Sequence, residues 1–268
     1  MTSLVQFLFR VFSFLPLGLL HALGWGLGWL TFLLSPTYRR HLWAQARAAG
    51  VGRTDVLASV GEAGKMVAEL PRLWLGRPVR MGWEGAAHIE AAQAHGRGLL
   101  ILTPHLGCFE ICAQAYAQRF GARQPITVLF RPARQPWMRD LVAGSRQRPG
   151  LRTAPTTLAG VKQLIKALKA GEAVGLLPDQ VPPDGQGVWA PFFGQDAYTM
   201  TLSARLVHSG HAVVVLVWGE RLSWGRGYLV HVRPYDEAAW GPLSTDAAVA
   251  ARQINQAMES LILSCPRQ

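Results

Sequence analysis

The sequence predicts an α/β fold, with a mostly parallel central sheet flanked by helices and an apolar helix at the N-terminus. Short apolar runs bounded by glycine or proline alternate with longer helical segments, a pattern typical of such sheets. Polar residues suited to chemistry directly follow several of these runs, at the strand ends where open α/β sheets bind ligands. From Leu4 to Leu34 the chain is almost continuously apolar.

The apolar N-terminal segment predicts a membrane anchor. The window from Val11 to Leu34 is long enough to span a bilayer core, which needs about 20 apolar residues. No small-residue cleavage site is evident, and the basic cluster Tyr38-Arg39-Arg40-His41 follows at once. We therefore predict an uncleaved anchor over residues 1–36, which holds a domain of residues 37–268 at an anionic membrane surface. A buried core helix is the alternative.

Composition indicates an anionic partner at an interface. The 268 residues include 50% hydrophobic residues, ten tryptophans and only 16% charged residues, yet the formal net charge is +11. Anionic lipid headgroups and an acidic protein are the first candidates, and nucleic acid is the third. A basic surface that serves only solubility is the alternative.

The remaining elements follow from periodicity and from residues that break regular structure. Pro71 kinks or ends one helix, and Gly171 ends another. We predict helices at 39–49, 54–75, 84–95, 109–120, 156–170, 200–209 and 246–264. We predict strands between Gly98 and Pro104 and at 125–130, 173–177, 212–218 and 227–232, with a loop at 182–187.

A histidine lies at the corner between the first of these strands and the next helix. His105 and Glu110 can meet only if His105 lies on the turn and Glu110 in the first turns of the helix. Gly107 permits such a turn, because it tolerates backbone angles that other residues resist. A carboxylate at a helix N-terminus stays ionised, so it can hold one imidazole nitrogen protonated and leave the other as a base. No G-x-S-x-G nucleophile motif occurs in the chain.

Two further strand ends carry candidate binding residues. Arg131 follows the strand at 125–130, and its fork suits phosphate or carboxylate. It lies in an arginine-rich region that is either an anion-binding surface or an ordinary solvated face. The region has few aromatic residues, which argues against binding of single-stranded nucleic acid by base stacking. Asp179 and Gln180 follow the strand at 173–177, where Asp179 could instead cap a turn.

The cysteines indicate no disulfide framework. Three of them, Cys108, Cys112 and Cys265, fit a reducing compartment. His105 with Cys108 and Cys112 could suggest metal ligands, but no second ligand pair occurs elsewhere. We expect these two cysteines to pack as small hydrophobic residues, and we predict no metal or other cofactor.

The block His105-Leu-Gly-Cys-Phe-Glu110 resembles the H-x4-D/E box of glycerolipid-type acyltransferases. It has the glutamate form of the bacterial lipid A late acyltransferases. Three supporting blocks stand in the order expected for that family, namely Phe130-Arg131-Pro132, Leu177-Pro178-Asp179-Gln180 and Ala190-Pro191-Phe192-Phe193-Gly194.

The resemblance implies acyl transfer in lipid A biosynthesis. An acyl-acyl-carrier protein thioester, or acyl-CoA, would be the donor, and a hydroxyl of an anionic phosphorylated glycolipid, a lipid A precursor, would be the acceptor. His105 would be the general base and Glu110 would orient it. The implied location is the bacterial inner membrane, with the catalytic domain facing the cytoplasm.

The remaining site residues are assigned to substrate binding. Arg131 would bind an acceptor phosphate, and Phe193 belongs to a block that would cover the site with apolar surface. The assigned residues are Gly107, Arg131, Asp179, Gln180 and Phe193.

The lysines of the helix at 156–170 would contact the acidic carrier, or they form an ordinary exposed face. By resemblance we also expect a basic tail with a Tyr-Leu-Trp-like segment after the last helix, whereas this sequence ends at Pro266-Arg267-Gln268.

Two alternatives to this function stay open. The same chemistry could serve another acceptor, such as a lysophospholipid, an ornithine lipid or a glycosylated phosphoinositide. A non-catalytic, basic membrane-binding protein would instead make His105 and Glu110 a core pair or a cap. We predict no nucleic-acid partner.

Overall fold

The computed structural model of the chain describes residues 2–130 and 148–268. Arg131, predicted to bind substrate, lies outside the described residues. The described helices are α1 (Thr2–Phe14), α2 (Leu17–Leu34), α3 (Pro36–Ala48), α4 (Arg53–Ala68), α5 (Leu70–Leu75), α6 (Ala87–Ala94), α7 (Phe109–Phe120), α8 (Leu158–Lys169), α9 (Leu202–Gly210), α10 (Glu237–Trp240) and α11 (Ala247–Ser264). The described strands are β1 (Met81–Glu84), β2 (Leu99–Leu102), β3 (Ile126–Phe130), β4 (Leu151–Pro155), β5 (Ala173–Leu176), β6 (Gly187–Phe192), β7 (Gln195–Met200), β8 (Val213–Arg221) and β9 (Tyr228–Pro234).

Seven of these strands form one sheet in the order β1-β9-β8-β2-β5-β3-β4. The five strands from β8 to β4 in that order run parallel, whereas β9 pairs antiparallel with β8 and parallel with β1. The prediction of a mostly parallel sheet flanked by helices is confirmed. The parallel strands β2 and β5 are adjacent at the centre, so their carboxyl ends meet at one edge.

Alternation along β2 divides the core between the two faces of the sheet. Leu99 and Ile101 join the cluster that includes α7, whereas Leu100 and Leu102 join the cluster that includes α8, α9 and α11. All four β2 side chains are buried, as expected for a strand covered on both faces.

The helix predictions are largely confirmed near the site. The helix predicted at 109–120 is α7 with the same bounds. Thr157 caps α8 by accepting from the N–H of Gly160, and Asp246 caps α11.

Four strands were not predicted. Residues 81–84 form β1, and the helix predicted to start at 84 starts at Ala87. Residues 151–155 form the edge strand β4, whose polar side chains give no apolar run. Strands β6 and β7 form a hairpin with a turn at Phe193 (φ 48°) and Gly194 (φ 72°), both in the left-handed region.

The apolar N-terminal segment forms two helices. The predicted span from Val11 is interrupted at Leu15 and Pro16, between α1 and α2. Among the described residues, α2 is the one helix long and apolar enough to cross a membrane, and 33% of it is buried against the rest of the chain. Its remaining surface is apolar and exposed, through Leu19, Leu23, Trp25, Leu27, Leu30, Leu33 and Leu34.

Helix α2 packs against α4 through glycines that let the two backbones approach closely. A methyl group at Gly28 would overlap the carbonyl oxygen of Val60, and one at Gly64 would overlap the carbonyl oxygen of Gly24. Small residues permit this kind of close helix contact. Helix α2 is therefore attached to the α/β domain by packing as well as by the chain.

We expect Gly28→Ala to destabilise the fold by about 1–3 kcal/mol, because the added methyl forces α2 and α4 apart. Gly26→Ala is the matched control, since a methyl at Gly26 meets nothing within 4 Å. Alanine there should be neutral or stabilising by up to about 1 kcal/mol. Thermal unfolding of the detergent-solubilised chain measures both. Equal effects of the two variants would show that the close packing of α2 on α4 does not contribute to stability.

Candidate active site

His105 lies on a turn between the end of β2 and the start of α7. The turn is held to β5 by the Thr103 N–H, which donates to the Leu176 carbonyl at 3.2 Å, and to β8 by the Cys108 N–H, which donates to the Gly219 carbonyl at 2.8 Å. Gly107 has a φ of +56°, and a methyl group on it would overlap the Gly219 carbonyl oxygen. The predicted need for glycine is therefore confirmed by both conformation and space.

A single carboxylate holds both the backbone and the ring of His105. One oxygen of Asp179 accepts the His105 backbone N–H at 2.7 Å, and the other lies 2.8 Å from Nδ1 of the imidazole. An ionised carboxylate only accepts hydrogen bonds, so Nδ1 carries the proton. The His105 side chain stays 29% exposed, whereas that of Asp179 is 12% exposed.

The other imidazole nitrogen faces Gln180. The side-chain nitrogen of Gln180 lies 3.1 Å from Nε2 of His105, and the Phe109 ring packs 4.7 Å from the imidazole. With Nδ1 protonated, Nε2 has a free lone pair that accepts from the Gln180 amide. A substrate hydroxyl that replaced Gln180 would meet a base already oriented by Asp179.

Glu110 lies in the first turn of α7, as the sequence predicted, but it is not the carboxylate that contacts the His105 ring. Among the described residues, the hydrogen-bond partners of the His105 ring nitrogens are Asp179 and Gln180. One oxygen of Glu110 accepts from Nε1 of Trp74 at 3.3 Å. The orienting contact expected of Glu110 is made by Asp179, because β5 lies beside β2 and delivers its carboxylate to the turn.

The other two described binding residues, Phe193 and Gly107, have partners other than the His105 ring. Phe193 lies at the tip of the β6–β7 hairpin, where its N–H donates to Glu259 of α11 at 2.7 Å and its ring packs against Phe192. The carbonyl of Gly107 accepts from Arg221 at 2.7 Å. Sequence reasoning missed Arg221, because Gly219 and Glu220 separate it from the apolar run that ends at Trp218.

The cysteines beside the turn pack as small buried residues, as expected. Cys108 is 1% exposed and Cys112 is 5% exposed. Burial raises the pKa of the Cys108 thiol well above its usual range and that of Cys112 to about 12. Within the described residues, no three His, Cys, Asp or Glu side chains are grouped as metal ligands.

Comparison with known proteins agrees with these blocks. Residues 56–268 match the bacterial lipid A biosynthesis acyltransferase family. The chain is 30% identical over 213 residues to the lipid A biosynthesis lauroyltransferase of Escherichia coli (strain K12), covering 78% of this chain and 66% of the relative.

Two further relatives have lower identity. The lipid A biosynthesis palmitoleoyltransferase of Escherichia coli (strain K12) is 26% identical over 69% of this chain and 58% of its own length. A lipid A biosynthesis acyltransferase of Haemophilus influenzae is 26% identical over 69% of this chain and 55% of its own length. The chain thus spans less than two thirds of each of these relatives.

The family match extends over the whole α/β region, from α4 to the last described residue, and includes His105, Glu110, Asp179 and Gln180. The chain belongs to the bacterial lipid A biosynthesis acyltransferase family.

Proposed function

We propose that this chain is an O-acyltransferase of lipid A biosynthesis, which moves a fatty acyl group from a thioester to a hydroxyl of a lipid A precursor. The observation that carries the proposal is the contact between His105 and Asp179, with Nδ1 held by the carboxylate and Nε2 available on a partly exposed ring. The names of the relatives, a lauroyltransferase and a palmitoleoyltransferase, support the substrate class.

In the proposed reaction, the acceptor hydroxyl replaces Gln180 at Nε2 of His105. The imidazole takes the hydroxyl proton as the oxygen forms a bond to the thioester carbonyl carbon. The carbon–sulfur bond then breaks, and the imidazolium returns the proton to the leaving thiolate. Asp179 stabilises the imidazolium between these two steps and keeps its ring in place.

Two further groups would assist this step. The developing oxyanion would be stabilised by N–H groups in the first turn of α7, which starts at Phe109 directly after the His105 turn. Glu110 would be a second carboxylate of the site, with an electrostatic role. From its position against Trp74 it would favour the imidazolium without a direct hydrogen bond to it.

The substrates and location of the proposed enzyme follow the family. An acyl-acyl-carrier protein, with acyl-CoA as the alternative donor, would supply the thioester, and Arg131 would bind a phosphate of the acceptor. Phe193, on the hairpin packed against α11, would contribute apolar surface. The exposed leucines of α2 support attachment to the bacterial inner membrane, and we propose that the α/β domain faces the cytoplasm.

The first test is mass spectrometry of lipid A and phospholipids from cells that express the chain. We expect a lipid A species heavier by one acyl chain, which is absent with His105→Ala because the base is lost. His95→Ala is the matched control, since His95 lies at the end of α6, where its ring contacts the Ala91 carbonyl. A mass change confined to phospholipids would overturn the acceptor, and activity retained by His105→Ala would overturn the mechanism.

The second test compares the two carboxylates near His105. Asp179→Asn should lower kcat by about 10³-fold or more, because the amide no longer favours the Nδ1-protonated ring or the imidazolium. Glu110→Gln should cost less, about tenfold, since it acts at longer range. Steady-state kinetics of purified variants measure both. A larger loss for Glu110→Gln would return the orienting role to that residue.

The third test concerns the carrier contact. Helix α8 runs from the end of β4 to the start of β5, so its lysines at 166 and 169 lie towards the sheet edge opposite His105. Lys166→Glu reverses a charge that would attract the acidic carrier, so it should raise KM for the acyl-acyl-carrier protein several-fold. Because the lysine lies away from His105, kcat and KM for acyl-CoA should be unchanged. Arg205→Glu, an exposed charge reversal on α9, is the control. An unchanged KM for Lys166→Glu would exclude this surface.

A further inference from the structure

A buried ion pair lies beside the His105 turn and has no part in the proposed chemistry. The side chains of Arg221, at the end of β8, and Glu69, between α4 and α5, are 2% and 1% exposed. Nε of Arg221 donates to both Glu69 oxygens at 3.0 Å, and Nη2 donates to one of them at 2.8 Å. Burial raises the pKa of Glu69, but Arg221 and His21 lower it further, to about 2, so the carboxylate is ionised.

The same guanidinium holds the turn that carries His105. Nη2 of Arg221 donates to the Gly107 carbonyl at 2.7 Å, two residues after the histidine. Gly219, two residues before Arg221 on β8, accepts from the next N–H of the turn, that of Cys108. A charged donor to a buried carbonyl is a strong hydrogen bond, and its loss leaves that carbonyl unsatisfied.

The N-terminal helix α2 contributes directly to this ion pair. Nε2 of His21, a buried residue of α2, lies 3.1 Å from Glu69. The hydroxyl of Tyr228 donates to the same carboxylate oxygen at 2.9 Å, and the His21 and Tyr228 rings are in edge contact. Contacts therefore run without a break from α2 through Glu69 and Arg221 to the His105 turn.

We propose that Arg221 is a positioning residue for His105, and that Glu69 and His21 hold Arg221 in place. Helix α2, which carries His21, would then help to set the position of His105 in the active site. The inference rests on the proposed function. The turn is held on one side by Asp179 and on the other by Arg221, and a displacement of about 1 Å at a catalytic group can cost about 100-fold in rate.

The test is Arg221→Lys. Lysine keeps the positive charge beside Glu69 but lacks the planar fork that reaches Glu69 and the Gly107 carbonyl together. We expect kcat to fall at least about tenfold, with KM for both substrates within about twofold. Arg233→Lys is the control, because Arg233 is exposed and bonded to Ser264. A folded Arg221→Lys variant with unchanged kcat would overturn the proposal.

Hydrogen exchange separates this inference from the proposed function. In Arg221→Lys, amides of the peptide that spans residues 103–109 should exchange faster, because the turn is released, while those of α11 stay unchanged. This measurement needs no turnover. An inactive wild-type protein would refute the proposed function alone. An unchanged exchange rate of the turn amides in Arg221→Lys would refute the positioning role of Arg221, even if the enzyme is active.

The part played by α2 has its own variants. His21→Leu leaves Glu69 bound to Arg221 and Tyr228, so the fold should persist while kcat falls several-fold. His21→Gln restores a donor to Glu69 and should recover most of the loss. A purely structural role would change the melting temperature of His21→Leu and leave kcat as in the wild type, which would remove α2 from the proposal.

Discussion

The carboxylate of Asp179 is the contact on which the site depends. It accepts the backbone N–H of His105 with one oxygen and faces the ring Nδ1 with the other, so it sets the position and the tautomer of the imidazole together. The contact exists because β5 is the neighbour of β2, and their aligned carboxyl ends bring residues 105 and 179 to one edge of the sheet. Sheet order therefore determines which carboxylate contacts the histidine.

Helix α2 has two surfaces with different roles. Its exposed leucines suit a lipid environment, whereas its glycines and His21 face α4 and the buried Glu69. The boundary at residue 36, between the predicted anchor and the predicted catalytic domain, was placed from hydropathy and stays a prediction. Close backbone packing and a buried polar contact both cross that position, so the forces that fix α2 to the α/β domain are those of a protein interior.

Local signals in the sequence were enough for the elements around the site, but not for its pairing. The apolar run of β2, the glycine of the turn and the helix α7 were predicted, and so was the position of Asp179 after a strand. Glu110 was favoured as the partner because the turn could bring it to His105 and because it completes the H-x4-E block, whereas Asp179 is 74 residues away and reaches His105 only through strand order. The β6–β7 hairpin was missed because Pro191 and the polar β7 hide its alternation.

Within the proposed function, the described residues around His105 favour direct transfer over an acyl-enzyme intermediate. Cys108 is the nearest thiol in sequence, but it is buried and its raised pKa keeps it protonated, so it is a poor nucleophile. The hydroxyl of Thr103 is buried and donates to the Pro104 carbonyl. The proposed base, held by Asp179 and with Nε2 facing the exposed amide of Gln180, therefore suits a hydroxyl that arrives with the substrate. The positioning role proposed for Arg221 fits the same mechanism, because direct transfer depends on where His105 is held relative to the substrate hydroxyl.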